Sequence, residues 1–279
     1  MVPIHLEPLK VERISVAIAD LPLGLVGIKL IHLSDFHYDG LRLSEELLQE
    51  AIAISNLENP DLILLTGDYI TDQPDPIDEL ALRLQSLKSR SGIYAVLGNH
   101  DCYRRNAKAR VIKALNGIGV NVLWNQIATP FGTNFPIVGL ADFWSSEFNP
   151  AAVMTQLAPN IPRLVLSHNP DTAAILQQWR VDLQLSGHTH GGQVTIPGLG
   201  TAAFFIQQMS QYTPRILHPC IPFVKDCSKV VKNWQWAEGW HQLHYNQLYV
   251  NRGLGTYFPG RFFCPPELTV ITLRSQVAY

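Results

Sequence analysis

Five short apolar segments of this 279-residue chain each end in a turn that carries Asp, Asn or His. The segments are too short for helices and rich in leucine and β-branched residues, which is typical of buried strands. Stretches with helical spacing lie between them. Alternating strands and helices favour a layered α/β fold, so this pattern constrains the architecture more than any other feature of the sequence.

The predicted elements alternate from residue 28 to residue 186, and two further strands follow nearer the C-terminal end. Strands are predicted at 28–34, 61–67, 92–98, 135–141, 163–167, 181–186, 247–251 and 267–274. Helices are predicted at 43–58, 76–89, 104–116, 149–157 and 169–179, with Ser44 as the N-cap of the first. No linker divides the chain, so a single domain over 1–279 is expected. Within it, the Pro- and aromatic-rich stretch at about 197–245 lacks clean periodicity and is interpreted as an insertion, either a cap or part of the core.

Composition narrows the class of partner and the compartment. The formal net charge of −2 does not favour a nucleic-acid partner. The four cysteines form no C-x-x-C pair, which favours a reduced, cytoplasmic setting over a disulfide framework. No signal peptide and no uncharged apolar run of the ~20 residues that span a bilayer are recognised.

The polar residues at the strand ends form a candidate metal centre. Ligands gather at the carboxyl ends of strands in such folds, and side chains at i and i+2 of an extended chain point to one side. An isolated H-x-H is more often a pair of loop histidines, but five strand ends with the same character argue against coincidence. The candidate ligands are Asp35, His37, Asp68, Asn99, His168, His188 and His190.

Seven ligands are too many for one tetrahedral zinc ion. With one bridging carboxylate they supply four ligands to each of two ions, and the mixture of carboxylate and imidazole suits Mn, Fe, Zn or Co. Two ions ~3.5–4 Å apart form a clamp for in-line displacement at phosphorus. His100, next to Asn99, is left to donate a proton to the leaving oxygen or to stabilise its charge.

The stretches "SDFH", "GD", "GNHD", "SH" and "GHTH", in that order, resemble the calcineurin-like metallophosphoesterase superfamily. The resemblance implies a sandwich of two mixed β-sheets flanked by helices. It also implies a division of the ligands, in which Asp68 bridges and His100 is the catalytic histidine. One ion would be held by Asp35, His37, Asp68 and His190, and the other by Asp68, Asn99, His168 and His188.

The chain departs from the family pattern at one position. Many members carry an aspartate three residues after the bridging one, where it orients the catalytic histidine. Here that position is Thr71 and the aspartate follows as Asp72, so either Asp72 or Asp101 is expected to orient His100. The tail "GLGTYFPGRFFCPPELTVITL" is similar to a bacterial phosphodiesterase subgroup, whose members often carry an N-terminal membrane segment that is not recognised here.

The resemblance implies hydrolysis of phosphodiester or pyrophosphate bonds by a metal-bound hydroxide, with a small-molecule or lipid-linked substrate. A UDP-2,3-diacylglucosamine-type lipid pyrophosphatase is the alternative. The intact ligand set disfavours a non-catalytic scaffold, and the charge balance disfavours a nuclease. The aromatics of 202–240, including Trp234 and Trp236, either contact lipid transiently or close the core. The expected location is cytoplasmic, or peripheral to the membrane.

Overall fold

The computed structural model describes residues 7–213 and 229–276. Its strands, numbered in chain order, are β1 (Lys10–Ile18), β2 (Lys29–Leu33), β3 (Leu62–Leu65), β4 (Ile93–Ala95), β5 (Val120–Val122), β6 (Gln126–Ala128), β7 (Ile137–Gly139), β8 (Leu164–Leu166), β9 (Leu183–Ser186), β10 (Thr195–Ile196), β11 (Gly200–Thr201), β12 (Gly239–Leu243), β13 (Asn246–Val250) and β14 (Glu267–Ser275). Its helices are α1 (Glu45–Leu57), α2 (Ile77–Leu84), α3 (Ala107–Gly117), α4 (Ala151–Met154), α5 (Thr172–Leu176) and α6 (Ala202–Tyr212).

The strands form two six-stranded sheets and a small β10–β11 ribbon. The first sheet has the order β1-β14-β2-β3-β4-β5, and the second has the order β12-β13-β9-β8-β7-β6. In the first, β2 to β5 run parallel and β14 is antiparallel to β2. In the second, β7, β8, β9 and β13 run parallel, with antiparallel β6 and β12 at the edges. Both sheets are therefore mixed, as the resemblance implies.

Side-chain alternation along the strands shows how the layers stack. In β3, Leu62 and Leu64 belong to an apolar cluster that includes residues of both sheets, whereas Ile63 and Leu65 pack with helices α1 to α3. In β8, Val165 faces the opposite way and packs with α4 and α5. The layers are helix, sheet, sheet and helix, because each strand presents alternate residues to two buried faces. The predicted sandwich is confirmed.

Element boundaries differ from the predictions in places with a local cause. Ser44 caps α1 as expected, accepting a hydrogen bond from the Leu47 backbone N–H at 3.2 Å. Helix α3 begins only at Ala107, because Asn106 adopts a left-handed backbone with φ of 69°. Helices α4 and α5 are shorter than predicted. The sequence reading missed β1, whose edge position in the sheet leaves several of its residues partly exposed.

The stretch 197–245 contributes to several parts of the fold. It contains α6, the edge strand β12 and a short 3₁₀ turn at Trp234–Trp236. Trp234 and Trp236 are only 5% and 7% exposed, and both close apolar clusters of the core. Residues 214–228 of this stretch lie outside the described residues. Among the helices within 7–213 and 229–276, none combines the length and apolar character needed to cross a bilayer.

Candidate metal centre

The seven candidate ligands come together where strand ends of both sheets meet. Asp35 and His37 follow β2, Asp68 follows β3, and Asn99 follows β4 of the first sheet. His168 follows β8, and His188 and His190 follow β9 of the second sheet. All seven side chains are buried. Parallel strands deliver their carboxyl ends to one edge of each sheet, and these two edges meet in the sandwich, which is why residues more than 150 positions apart converge.

One group of ligand atoms joins Asp35, His37 and His190, all lying within 4.8 Å of one another. Nε2 of His190 is 3.2 Å from Nε2 of His37 and 3.5 Å from Oδ1 of Asp35. Oδ2 of Asp68 lies 3.5 Å from the same nitrogen of His37. Two carboxylates and two imidazoles therefore face one point.

A second group joins Asp68, His168 and His188, again within 4.8 Å. Oδ2 of Asp68 is 3.1 Å from Nε2 of His168, which in turn is 3.2 Å from Nδ1 of His188. Asp68 thus contributes to both groups. This is the geometry expected of a carboxylate that bridges two ions.

Hydrogen bonds at the outer nitrogens assign the tautomers of three imidazoles. Nδ1 of His168 lies 2.6 Å from the Thr66 carbonyl, Nδ1 of His190 lies 3.1 Å from the Gly255 carbonyl, and Nε2 of His188 lies 2.8 Å from the Val230 carbonyl. A carbonyl only accepts, so each outer nitrogen carries the proton. In the neutral rings the inner nitrogens then present lone pairs to the centre, as metal ligation requires.

The pKa values of the histidines agree with a site that binds cations. Burial lowers the pKa of His37 and of His190 to about 3, and that of His188 to about 4, which keeps these rings neutral. Burial also lowers the pKa of His168, but the Asp68 carboxylate outweighs it and raises the value to about 10. Among the protein groups, positive charge is therefore favoured between His168 and Asp68.

Asn99 supplies a further indication of a bound cation. Its Nδ2 donates to the Tyr103 hydroxyl at 2.6 Å, which fixes the orientation of the amide. Its Oδ1 is buried and has no hydrogen-bond partner among the described residues. A buried acceptor without a partner costs about 1–3 kcal/mol, and ligation of an ion would remove that cost.

Unusual backbone conformations are concentrated at the ligands. Left-handed φ values between 43° and 73° occur at five of them: Asp35, His37, Asp68, His188 and His190. Such conformations cost on the order of 1 kcal/mol or more for residues other than glycine. The surrounding structure maintains these strained conformations. Each of them changes the direction of the ligand side chain from the one it would have in a continued strand.

Two glycines leave room for the carboxylates. A Cβ on Gly98 would lie 2.1 Å from Oδ1 of Asp68, and a Cβ on Gly187 would lie 2.2 Å from Oδ2 of Asp35. Neither glycine position therefore has room for a Cβ atom. The first glycine of "GHTHGGQ" is therefore required by the aspartate that follows β2, on the other sheet.

We expect Gly187→Ala to reduce metal content and to lower kcat/KM by more than about 10-fold, since the added methyl group must displace both the Ser34 hydroxyl and the Asp35 carboxylate. The matched control is Gly117→Ala at the end of α3, where a Cβ meets nothing within 4 Å. Elemental analysis and initial rates of both variants test the expectation. Equal metal content and equal rates in the two variants would contradict it.

His100 lies beside the two groups and forms a third set with His37 and Asp68, whose ligand atoms also lie within 4.8 Å of one another. Its ring is 4.8 Å from the ring of His37, and its backbone N–H donates to Oδ1 of Asp68 at 2.9 Å. Nδ1 of His100 is 2.7 Å from the Thr71 carbonyl, while the Asp72 side chain is exposed. A backbone carbonyl therefore orients His100, where the sequence led us to expect a carboxylate.

Asp101 has a different role from the one considered for it. Its carboxylate accepts backbone N–H groups of Asp68 at 2.9 Å, Tyr69 at 3.0 Å and Gly98 at 2.9 Å. These bonds join the turns after β3 and β4. Asp101 thus supports the backbone of Asp68, and His100 is held by Thr71.

A pocket of about 360 Å³ opens over the ligands. Three residues near it are not among the candidates predicted from the sequence. Tyr257 and Trp144 line it, and Asp142 is buried close by, with Oδ2 accepting the Trp144 N–H at 3.2 Å. Burial raises the pKa of Asp142 to about 6. The signal that could have found Asp142 is its position after β7, a further strand end with an acidic residue.

Comparison with known proteins agrees with this geometry. Residues 28–192 match the sequence profile of the family described as calcineurin-like phosphoesterase. The chain is 32% identical over 250 residues to the phosphodiesterase YaeI of Escherichia coli, covering 88% of this chain and 82% of that protein. It is 31% identical over 281 residues to the metallophosphoesterase YkuE of Bacillus subtilis, covering 97% and 88%.

A third relative carries a more specific name. The chain is 27% identical over 317 residues to the UDP-2,3-diacylglucosamine pyrophosphatase LpxG of Chlamydia trachomatis, covering 96% of this chain and 90% of that protein. The family match extends from β2 to the "GHTHGG" turn, and so includes all seven candidate ligands and His100. The chain belongs to the calcineurin-like phosphoesterase family and is a metal-dependent phosphoester hydrolase.

Proposed function

We propose that this chain hydrolyses phosphodiester or pyrophosphate bonds with two divalent transition-metal ions at the candidate centre. Asp35, His37 and His190 would hold one ion, Asn99, His168 and His188 the other, and Asp68 both. The observation that supports this most directly is the set of inner imidazole nitrogens, whose lone pairs face two neighbouring points that share Asp68.

Bound at these points, two ions would supply a water molecule of lowered pKa and a positive clamp for the phosphate oxygens. The protein contributes the negative charge of Asp35 and Asp68 and four imidazoles, of which three are already neutral and His168 would lose its proton when an ion binds. Four positive charges against two carboxylates leave a net positive centre, which attracts an anionic phosphate. The ligand residues are buried, so water screens the net charge of the centre less and this attraction stays strong.

His100 is placed to act on the leaving group. Its ring is half-buried and lines the pocket, with Nδ1 fixed by the Thr71 carbonyl. Nε2 is therefore the nitrogen available to a substrate. In the protonated ring it would donate to the oxygen that leaves phosphorus, while the ligands beside it hold the phosphate.

The walls of the pocket favour a substrate with an apolar or aromatic leaving group. Tyr103, Trp144 and Trp234 line it, and Trp234 also borders a neighbouring cavity of about 280 Å³ that is lined by Leu199 and Phe204. This adjacent apolar cavity favours, as a second candidate, a pyrophosphate that carries an acyl chain. A cytoplasmic location peripheral to the membrane stays a prediction.

A substrate panel run with metal-reconstituted protein tests the proposed function. We expect a phosphodiester or a pyrophosphate to be hydrolysed, chelation to abolish the rate, and Mn²⁺ to restore it with two ions per chain by elemental analysis. Hydrolysis that is unaffected by chelator, with at most one ion per chain, would contradict the two-ion proposal.

The same panel separates the two candidates. Acylated and deacylated forms of one nucleoside-diphosphate sugar would be compared at equal concentration below the critical micelle concentration. A higher kcat/KM for the acylated form supports the acyl-chain substrate. Equal values for the two forms would leave water-soluble phosphate esters as the substrates.

A further inference from the structure

We propose that the hydroxyl group of Tyr257 is a positioning group for His100, linking it to the candidate ligand His37. The inference rests on the proposed function, in which His100 acts on the leaving group. Tyr257 belongs to the loop between β13 and β14, outside the stretch that matches the family profile. It reaches the site from a different part of the chain than any candidate ligand.

The hydroxyl lies between two histidines. Oη of Tyr257 is 3.0 Å from Nδ1 of His37 and 3.4 Å from Nε2 of His100. The tyrosine ring also packs edge-on against His37, with ring centroids 4.9 Å apart. Tyr257 lines the pocket together with His100, so this contact is made at the substrate side of the histidine.

The direction of these hydrogen bonds follows from the neighbouring groups. Nε2 of His37 faces Asp68 and His190, so in the neutral ligating ring the proton is on Nδ1 and is donated to Tyr257 Oη. The hydroxyl hydrogen is then free to donate to Nε2 of His100. Because Nδ1 of His100 donates to the Thr71 carbonyl at 2.7 Å, Nε2 of the neutral ring can accept it. In the protonated ring Nε2 becomes a donor instead, to the Tyr257 oxygen or, with substrate bound, to the leaving oxygen.

The tyrosine is itself held in place from two sides. Its backbone N–H donates to Oε1 of Gln193 at 2.6 Å, and the Arg42 guanidinium lies 4.6 Å from its ring centroid. Gln193 is the last residue of "GHTHGGQ". The motif that carries two candidate ligands therefore also fixes the residue that contacts His100.

The same arginine is connected to the other partner of His100. Arg42 pairs with Asp39, and Oδ2 of Asp39 accepts the Thr71 hydroxyl at 3.0 Å. Thr71 provides the carbonyl that orients Nδ1 of His100. Both ring nitrogens of His100 are thus set by groups that converge on one ion pair, which fixes the ring plane relative to the candidate ligands.

Tyr257→Phe tests the inference, because it removes the hydroxyl and keeps the ring contacts with Arg42 and His37. We expect kcat to fall about 10–100-fold, KM and the two-ion metal content to stay as in the wild type, and the loss to be larger for alkyl than for nitrophenyl esters. The control is Tyr38→Phe, whose hydroxyl bonds Glu45 at 3.2 Å and does not contact His100.

A double-mutant cycle with His100→Ala is the decisive measurement. If Tyr257 acts through His100, then Tyr257→Phe has no further effect in the His100→Ala background, within about twofold. Multiplying losses would overturn the proposal, as would an unchanged kcat or a loss of metal in Tyr257→Phe. A wild-type protein without metal-dependent hydrolysis would overturn the proposed function instead, so the two failures are distinguishable.

Discussion

Replacing Asp68 by alanine is expected to remove metal and activity together. Asp68 is the one candidate ligand that contributes to both groups, with Oδ2 3.5 Å from Nε2 of His37 and 3.1 Å from Nε2 of His168. Without it, each ion keeps three ligands and loses the shared negative charge. We expect kcat/KM to fall by well over the about 100-fold that is typical when a supporting residue is lost.

Elemental analysis and initial rates on the reconstituted variant measure this effect. Asp68→Asn is a closer variant that keeps the shape of the side chain and removes its charge, and it should show the same double loss. Asp75→Ala, at an exposed aspartate paired with Arg110, is the control and should behave as the wild type. An Asp68→Ala protein that keeps two ions per chain would refute the bridging role.

His100→Ala should have the opposite signature, with metal retained and chemistry lost. The side chain of His100 belongs neither to the group that contains His190 nor to the group that contains His188. Its residue lines the pocket, with Nε2 as the nitrogen that is not bonded to the Thr71 carbonyl. We expect a loss of about 10²–10⁴ in kcat for a substrate with a poor leaving group, the usual contribution of a general acid. A nitrophenyl ester needs less protonation and should lose less.

The matched control is His241→Ala, because His241 is also half-buried and also bonds a backbone carbonyl, that of Glu238 at 3.0 Å. It should leave rate and metal content unchanged. Wild-type rates of His100→Ala on an alkyl ester would show that the leaving group departs without this histidine. Loss of metal in the variant would instead make His100 a ligand, as its proximity to His37 and Asp68 allows.

The candidate ligands could be predicted because each follows a strand that can be recognised in the sequence as a run of apolar residues. "IKLIHLS", "DLILLT" and "VDLQLS" are buried on both faces, so their composition identifies them without an alignment. Parallel pairing then brings the carboxyl ends of β2 and β3 to one edge of the first sheet, while β9 ends at an edge of the second sheet. Local composition and the rule for parallel strands therefore predict the ligands of each sheet, and the packing of the two sheets brings them together.

The orientation of His100 could not be predicted in the same way. Its Nδ1 partner is the carbonyl of Thr71, and every residue type offers a backbone carbonyl. Such a contact leaves no side-chain signal, whereas a nearby Asp72 attracts attention because carboxylates often pair with histidine. Proximity in sequence was a poor guide here, since Asp72 is exposed and the Thr71 carbonyl takes the Nδ1 hydrogen bond of His100.

Tyr257 was missed for a different reason. It lies 157 positions after His100 in a loop with no periodic pattern. The pairing of β13 beside β9, in parallel, is what brings this loop to the ligands. The sequence of neither strand specifies which strand it pairs with. The contact between Tyr257 and His100 can therefore be recognised only when the strand order of the second sheet is known.

The division of ligands between the two sheets has a consequence for stability. The first sheet provides Asp35, His37, Asp68 and Asn99, and the second provides the three remaining histidines, so each ion would join one sheet to the other. An ion that binds only the folded chain adds about 2.7 kcal/mol to the free energy of unfolding when its free concentration is 100 times its Kd. The bound ions would therefore oppose separation of the two sheets at the edge where the ligands have left-handed backbone conformations. The availability of metal in the cell would then affect the lifetime of the folded protein as well as its catalytic rate.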